Sequence, residues 1–182
     1  MRRFYLTLWG AWVLRVLFCT LVSALVMAFV ITLVIYVKQG FVALDDKVLK
    51  ALFEIGKFWF SITLNLALLF ALFRSVKYLF NHCYAGYMLK LKTCTKEESL
   101  EFIESVGYGD LVKVWRKWFM TLIWLTGALM VLALVLTHLF THYESLFSWF
   151  SVTTLYLFIA LSGYFSIVLI VARMKTIKVV KC

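Results

Sequence analysis

The sequence predicts an all-α membrane protein with four transmembrane helices, and three observations lead to that prediction. Of the 182 residues, 64% are hydrophobic and only 15% are charged, and the mean hydropathy is +0.95. A soluble domain carries roughly 25% charged residues. The apolar residues also fall into four long blocks, and the basic residues are concentrated in alternate connecting segments. These features predict one transmembrane domain, residues 1–182, that crosses a bilayer four times.

The four predicted spans cover residues 16–37, 58–73, 118–139 and 149–172. The first contains no charged residue over its 22 positions. At about 1.5 Å per residue, such a helix can cross a hydrocarbon core of about 30 Å. The second span has only 16 residues, but Lys57 and Arg74 at its ends can extend their charges to the membrane surface.

The distribution of charge predicts the orientation. If the first residues are cytoplasmic, the inside segments hold 15 basic and 5 acidic residues, and the outside segments hold 4 of each. This asymmetry predicts a bacterial-type inner-membrane protein with both termini inside. The formal charge of +10 is then explained by orientation and by anionic lipid headgroups, so the expected partner is the lipid bilayer and not nucleic acid. No cysteine falls in a predicted outside segment, so structural disulfides are not expected; the cysteines are Cys19, Cys83, Cys94 and Cys182.

The polar segment over residues 81–117 is predicted to be helical and cytoplasmic. The helix of the second span is expected to continue to about Lys92, and an acidic amphipathic helix is expected over residues 96–106. Trp115 and Trp118 are expected to anchor the third helix at the membrane surface. This segment is the predicted partner-binding surface.

A six-residue motif lies near the end of that segment: Ser105, Val106, Gly107, Tyr108, Gly109 and Asp110. It resembles the potassium-channel selectivity filter, whose usual pattern is Thr-Val-Gly-Tyr-Gly-Asp and whose four copies replace the hydration shell of the ion with backbone carbonyls. The resemblance implies a tetrameric potassium channel as an alternative function. The same residues also fit a turn in which the glycines end one helix and Asp110 caps the next. A filter faces the outside, whereas the charge distribution places this motif inside.

Two stripes of small residues predict how the first two spans pack. They are Thr20, Ala24, Ala28 and Thr32 in the first span and Thr63, Ala67, Ala71 and Ser75 in the second. Small side chains at this spacing let two helix backbones approach closely. Asn65 is the most polar side chain within the second span and is predicted to form a hydrogen bond to another helix.

Few side chains in the spans are suited to catalysis or to holding a cofactor. All nine acidic residues lie outside the charge-free cores, and His138 and His142, four residues apart, are a weak candidate pair of metal ligands. The sequence therefore predicts a non-enzymatic protein without a cofactor that acts through helix–helix and protein–protein contact, as an accessory, assembly or immunity/exclusion-type subunit. In size and topology it is similar to membrane immunity proteins. The expected partner is another membrane protein or a second copy of the chain.

Overall fold

The computed structural model describes residues 2–40, 45–80, 82–92, 106–140, 152–174 and 176–182. These residues form the helices α1 (Arg2–Lys38), α2 (Asp46–Phe80), α3 (Tyr108–Phe140) and α4 (Val152–Arg173), and the strands β1 (Tyr87–Leu91) and β2 (Ile177–Lys181). All four helices are long and apolar enough to cross a membrane, since their best 18-residue windows have mean hydropathies of 1.7 to 2.7. The prediction of four helices that could cross a membrane is therefore confirmed by their length and hydropathy.

Helices α1, α2 and α3 extend well beyond the predicted spans. α1 begins at Arg2 and has 37 residues, and α2 joins the amphipathic residues 46–57 to the second span in one helix of 35 residues. The sequence contains no proline, the residue that most strongly breaks a helix interior. At about 1.5 Å per residue, α2 is about 52 Å long, against a hydrocarbon core of about 30 Å.

The chain divides into two compact units, and the division falls within α1 and within α2. Unit 1 consists of Met1–Val13 and Val76–Cys182, and unit 2 of Leu14–Ser75. Unit 2 therefore contains most of the first two helices. Unit 1 contains the start of α1, the end of α2, the helices α3 and α4, and both strands.

The expectation that the second helix continues to Lys92 is wrong. α2 ends at Phe80, and the chain then turns at Ala85 and Gly86, whose φ angles are +49° and +80°. Positive φ lies outside the right-handed helical region, and glycine adopts it without steric cost. The acidic helix predicted over residues 96–106 lies mostly outside the described residues, which resume at Val106.

After the turn, β1 pairs antiparallel with β2 in a two-stranded sheet. Leu91 lies opposite Ile177, and Tyr87 lies opposite Lys181. Successive side chains of a strand point to opposite faces, and one face of this sheet buries Leu89, Leu91 and Ile177 to 6% exposure or less. The segment after α4 therefore forms a strand because its apolar face is covered within unit 1.

Candidate functional site

Small side chains form the buried face of unit 2. Seven of the eight residues in the two predicted stripes are buried, and Thr32 is half-buried. Ala24 and Ala71 have no exposed surface. The helices approach closely enough for the Thr63 hydroxyl to donate a hydrogen bond to the Ala24 carbonyl oxygen at 3.2 Å, which larger side chains at these positions would prevent.

Replacing Thr63 with valine should weaken unit 2 only slightly. The hydroxyl donates to Ala24, but it also lies 2.9 Å and 3.2 Å from the carbonyl oxygens of Trp59 and Phe60 in its own helix. Interhelical hydrogen bonds in membranes average about 0.6 kcal/mol, so we expect Thr63→Val to lower the free energy of unfolding in mixed micelles by about 0.5–1 kcal/mol. Thr121→Val is the matched control, because the structure gives that hydroxyl a bond only within its own helix. A loss above about 2 kcal/mol would contradict this assignment.

Asn65 is exposed, and within the described residues its side chain bonds only its own helix. Its Nδ2 donates to the carbonyl oxygen of Ser61 at 3.3 Å, which is a long hydrogen bond. Three neighbouring side chains on this face are apolar and exposed: Ile62 is 41%, Leu66 is 55% and Leu69 is 52% exposed. We define Ile62, Asn65, Leu66 and Leu69 as the Asn65 face. It presents one polar amide among apolar side chains at the middle of the second predicted span.

A cavity of about 810 Å³ also lies within unit 2, between α1 and α2. Aromatic and aliphatic side chains such as Phe29, Phe53 and Phe60 line it, and its polar lining residues are Thr32, Tyr36 and Lys57. The described lining includes no Ser, Cys, His, Asp or Glu side chain. The cavity therefore offers an apolar surface but no carboxylate, imidazole or thiol for acid–base or nucleophilic chemistry.

The structure describes five of the six filter-like residues, Val106, Gly107, Tyr108, Gly109 and Asp110, while Ser105 lies outside it. Val106 is 3% exposed. α3 begins at Tyr108, and the amide of Leu111 donates to the Gly107 carbonyl at 3.3 Å. Asp110 therefore lies inside the first turn and not at the predicted cap position, because the helix begins two residues earlier. In a helical turn the carbonyls point along the axis and accept helix hydrogen bonds, so this conformation does not supply the ring of carbonyl ligands of a potassium filter.

Two tryptophans pack together inside unit 1. Trp12 of α1 and Trp118 of α3 are each 2% exposed, and their rings meet edge to face with centroids 5.5 Å apart. The Trp12 ring also covers Gly163 of α4, where a Cβ atom would overlap it. The expectation that Trp118 anchors the helix at the membrane surface is therefore wrong: the ring is buried because α1 and α4 cover it. Trp115 is half-buried.

The start of α1 belongs to the same core. Trp9 donates from Nε1 to the carbonyl oxygen of Ala160 in α4 at 2.7 Å. Phe4, Leu8 and Trp12 are each at most 2% exposed, and their four-residue spacing places them on one helix face. The four-residue spacing of these large apolar side chains is the signal in the sequence for this packed face.

A disulfide joins Cys83, between α2 and β1, to Cys182, directly after β2. The Cα atoms are 6.4 Å apart, and the two cysteines are 99 residues apart in sequence. The expectation of no disulfide is therefore wrong. It rested on the predicted compartment, whereas the pairing follows from the strand register, since the amide of Cys182 donates to the Gly86 carbonyl at 3.0 Å. Cys19 in α1 is a half-buried free thiol.

His138 is exposed in the last turn of α3. His142 lies outside the described residues, so the proposed pair of metal ligands stays a prediction. The described part of the chain contains no group of three His, Cys, Asp or Glu side chains that could hold a metal ion.

No family model, no curated protein and no solved structure matches this chain. The four helices able to cross a membrane define a class of protein, but they do not by themselves specify a function within it.

Proposed function

We propose that this chain is a non-enzymatic membrane protein that acts by protein–protein contact in the bilayer. The contact surface is the Asn65 face of α2, and its first partner is a second copy of the chain. The broader role is that of an accessory, assembly or immunity/exclusion-type subunit of a bacterial-type inner membrane.

The single observation that carries this proposal is the exposed amide of Asn65. A side-chain amide moved into hydrocarbon without full hydrogen bonding is costly, because no water is present to satisfy it. Asn65 makes one long hydrogen bond to its own helix, which leaves a second N–H and the carbonyl oxygen to be satisfied. A neighbouring transmembrane helix with a polar side chain at the same depth supplies these partners.

A second copy fits this requirement because asparagine carries both donors and an acceptor. Two helices related by a two-fold axis can place the same residue opposite itself, so that each amide donates to the other. The exposed apolar residues Ile62, Leu66 and Leu69 then pack on either side of the amide pair. Interhelical hydrogen bonds of this kind contribute about 1–2 kcal/mol in model peptides.

The side chains of the described residues support a function in protein–protein contact rather than in catalysis. The described lining of the 810 Å³ cavity contains no carboxylate, imidazole or thiol. Only three described residues, Asp45, Asp46 and Glu54, supply carboxylates whose side chains the structure places, and all three are exposed. The described residues therefore provide no buried pair of carboxylates for proton transfer.

We further propose that the start of α1, the segment between α2 and α3 and the segment after α4 are cytoplasmic. These three segments lie together in unit 1: β1 pairs with β2, and the ring of Phe4 meets that of Tyr87 with centroids 5.9 Å apart. The 15 basic residues of the inside segments then face the cytoplasm. The acidic helix predicted over residues 96–106 lies mostly outside the described residues and stays a candidate for further contacts on that side.

Self-association tests the proposal directly. Copies labelled with donor or acceptor dyes and reconstituted in liposomes should show energy transfer that unlabelled protein competes away. Asn65→Leu removes the amide, and we expect the association constant to fall about 5–30-fold, which corresponds to 1–2 kcal/mol.

Asn65→Gln is the matched control, because it keeps the amide and should retain most of the association. Equal association of the wild type and Asn65→Leu would remove the Asn65 face as the contact surface. If the wild type shows no energy transfer that unlabelled protein can compete away, a second copy is excluded as the partner.

A further inference from the structure

Two cysteines, Cys83 and Cys182, lie in an arrangement that the proposed contact function does not use. Both are exposed, and they form a disulfide at the end of the β1–β2 sheet. The turn at Ala85 and Gly86, with positive φ angles of +49° and +80°, reverses the chain after Cys83. The hydrogen bond from the Cys182 amide to Gly86 completes the alignment. The turn and this hydrogen bond place Cys83 and Cys182 next to each other at one end of the sheet.

The location of this bond conflicts with an ordinary structural role. In the proposed orientation, both cysteines face the cytoplasm, where glutathione and thioredoxin-class dithiols keep exposed thiols reduced. Disulfides in that compartment are usually transient, catalytic or redox-sensing. The exposure of Cys83 and Cys182 also favours exchange, because exchange requires an attacking thiolate to reach one of the two sulfur atoms.

We propose that Cys83 and Cys182 form a reversible thiol–disulfide exchange site for small cytoplasmic thiols of the glutathione class. This inference rests on the proposed orientation but not on contact through Asn65. One small thiolate attacks a sulfur of the pair, which breaks the S–S bond, forms a mixed disulfide and releases the other cysteine as a thiolate. A second small thiolate attacks the mixed disulfide and releases the remaining cysteine and the oxidised small-thiol disulfide. The protein disulfide gains two electrons and two protons, and two small thiols lose them; the reverse reaction uses the small-molecule disulfide as oxidant.

Reduction changes the chain at one end of the sheet only. Ile177 remains 3% exposed at the far end of β2, and the amide of Lys92 donates to the Thr176 carbonyl there at 2.8 Å. The disulfide lies beside the opposite end of the sheet, where Tyr87 pairs with exposed Lys181. A two-stranded pair is marginal by itself in water, so the reduced strand opens from Lys181 inwards while Ile177 stays packed.

The test uses the full chain in native membranes, with Cys19→Ser and Cys94→Ser so that the pair supplies the only thiols. Cells are quenched in acid, and free thiols are counted by the mass shift of a maleimide reagent. We expect a measurable reduced fraction in growing cells, loss of most of it after the thiol oxidant diamide, and recovery after its removal. Purified protein in glutathione buffers should pass reversibly between the two forms, and the exchange of β2 amide hydrogens should accelerate at least about 10-fold on reduction, because a frayed strand opens more often.

Two further measurements separate the possible failures. A pair that stays fully oxidised in cells and in reducing glutathione buffer would overturn the exchange site. In the Cys182→Ser variant, Cys83 should react with a membrane-impermeant maleimide only in inverted vesicles. Reaction in intact cells would overturn the proposed orientation, and with it this inference, while the energy-transfer test of the Asn65 face would still be valid.

Discussion

Gly163→Ala should destabilise the protein, although alanine favours a helix over glycine. The new methyl group would overlap the six-membered ring of Trp12. That ring has little freedom to move, because it is 2% exposed and packs edge-on against Trp118. Overpacking of this kind costs about 1–3 kcal/mol, which exceeds the roughly 0.8–1 kcal/mol by which alanine improves helix propensity. We expect a net loss of about 1–2 kcal/mol in SDS unfolding of the protein in mixed micelles.

The chain offers a matched control of the opposite sign. Gly127 is exposed in α3, and a Cβ atom there meets no atom within 4 Å. Gly127→Ala should therefore raise the free energy of unfolding by up to about 1 kcal/mol. In a Trp12→Phe background, which removes part of the blocking ring, Gly163→Ala should become neutral or stabilising, with a coupling energy of about 1–3 kcal/mol. Equal effects of Gly163→Ala in both backgrounds would show that Trp12 is not the obstacle.

Ala24→Leu should separate the two helices of unit 2. Ala24 has no exposed surface, and its carbonyl accepts the hydrogen bond from Thr63. Three additional carbon atoms at this position must push α2 away from α1, at a cost of about 1–3 kcal/mol or more. The same substitution at exposed Ala51 adds the same apolar volume where nothing opposes it, and we expect almost no change there.

The separation can be measured by cross-linking between α1 and α2. A Cβ atom at Gly56 would lie 3.5 Å from the Thr32 Oγ1 atom, so Thr32→Cys and Gly56→Cys place two thiols within reach of each other. In a background without the native cysteines, oxidation should cross-link this pair efficiently. Ala24→Leu should reduce the yield of cross-linked protein several-fold, because the yield depends directly on the distance between the two helices. If the yield stays equal to that of the Ala51→Leu control, close approach at Ala24 does not hold the hairpin together.

The four helices could be predicted because hydropathy over about 20 residues is a local property of the sequence. The sheet could not be predicted in the same way. The apolar residues Leu89 and Leu91 alternate with polar ones, but the partner strand lies almost 90 residues further along. The disulfide depends on that register, so reasoning from compartment alone missed it.

The aromatic residues illustrate a second limit on what can be predicted from the sequence. Tryptophan is favoured both at a membrane surface and in a packed core, because its ring is apolar and its N–H is polar. Composition alone therefore did not distinguish buried Trp118 from a surface anchor. Asn65 is the most polar side chain within the second predicted span. Which way it faces depends on how α2 is rotated against α1, and the sequence does not specify that rotation.

The register of the sheet also sets an order of events during synthesis. Ile177 follows its partner Leu91 by 86 residues. At a synthesis rate of about 5–20 residues per second, the first strand waits roughly 4–17 s for the second. During that interval α3 and α4 are synthesised while the hydrogen-bonding edge of β1 has no partner strand. Closure of the sheet is therefore a late step of biogenesis, and a nascent chain arrested before β2 presents this unpaired strand edge to the chaperones and proteases of the compartment in which it lies.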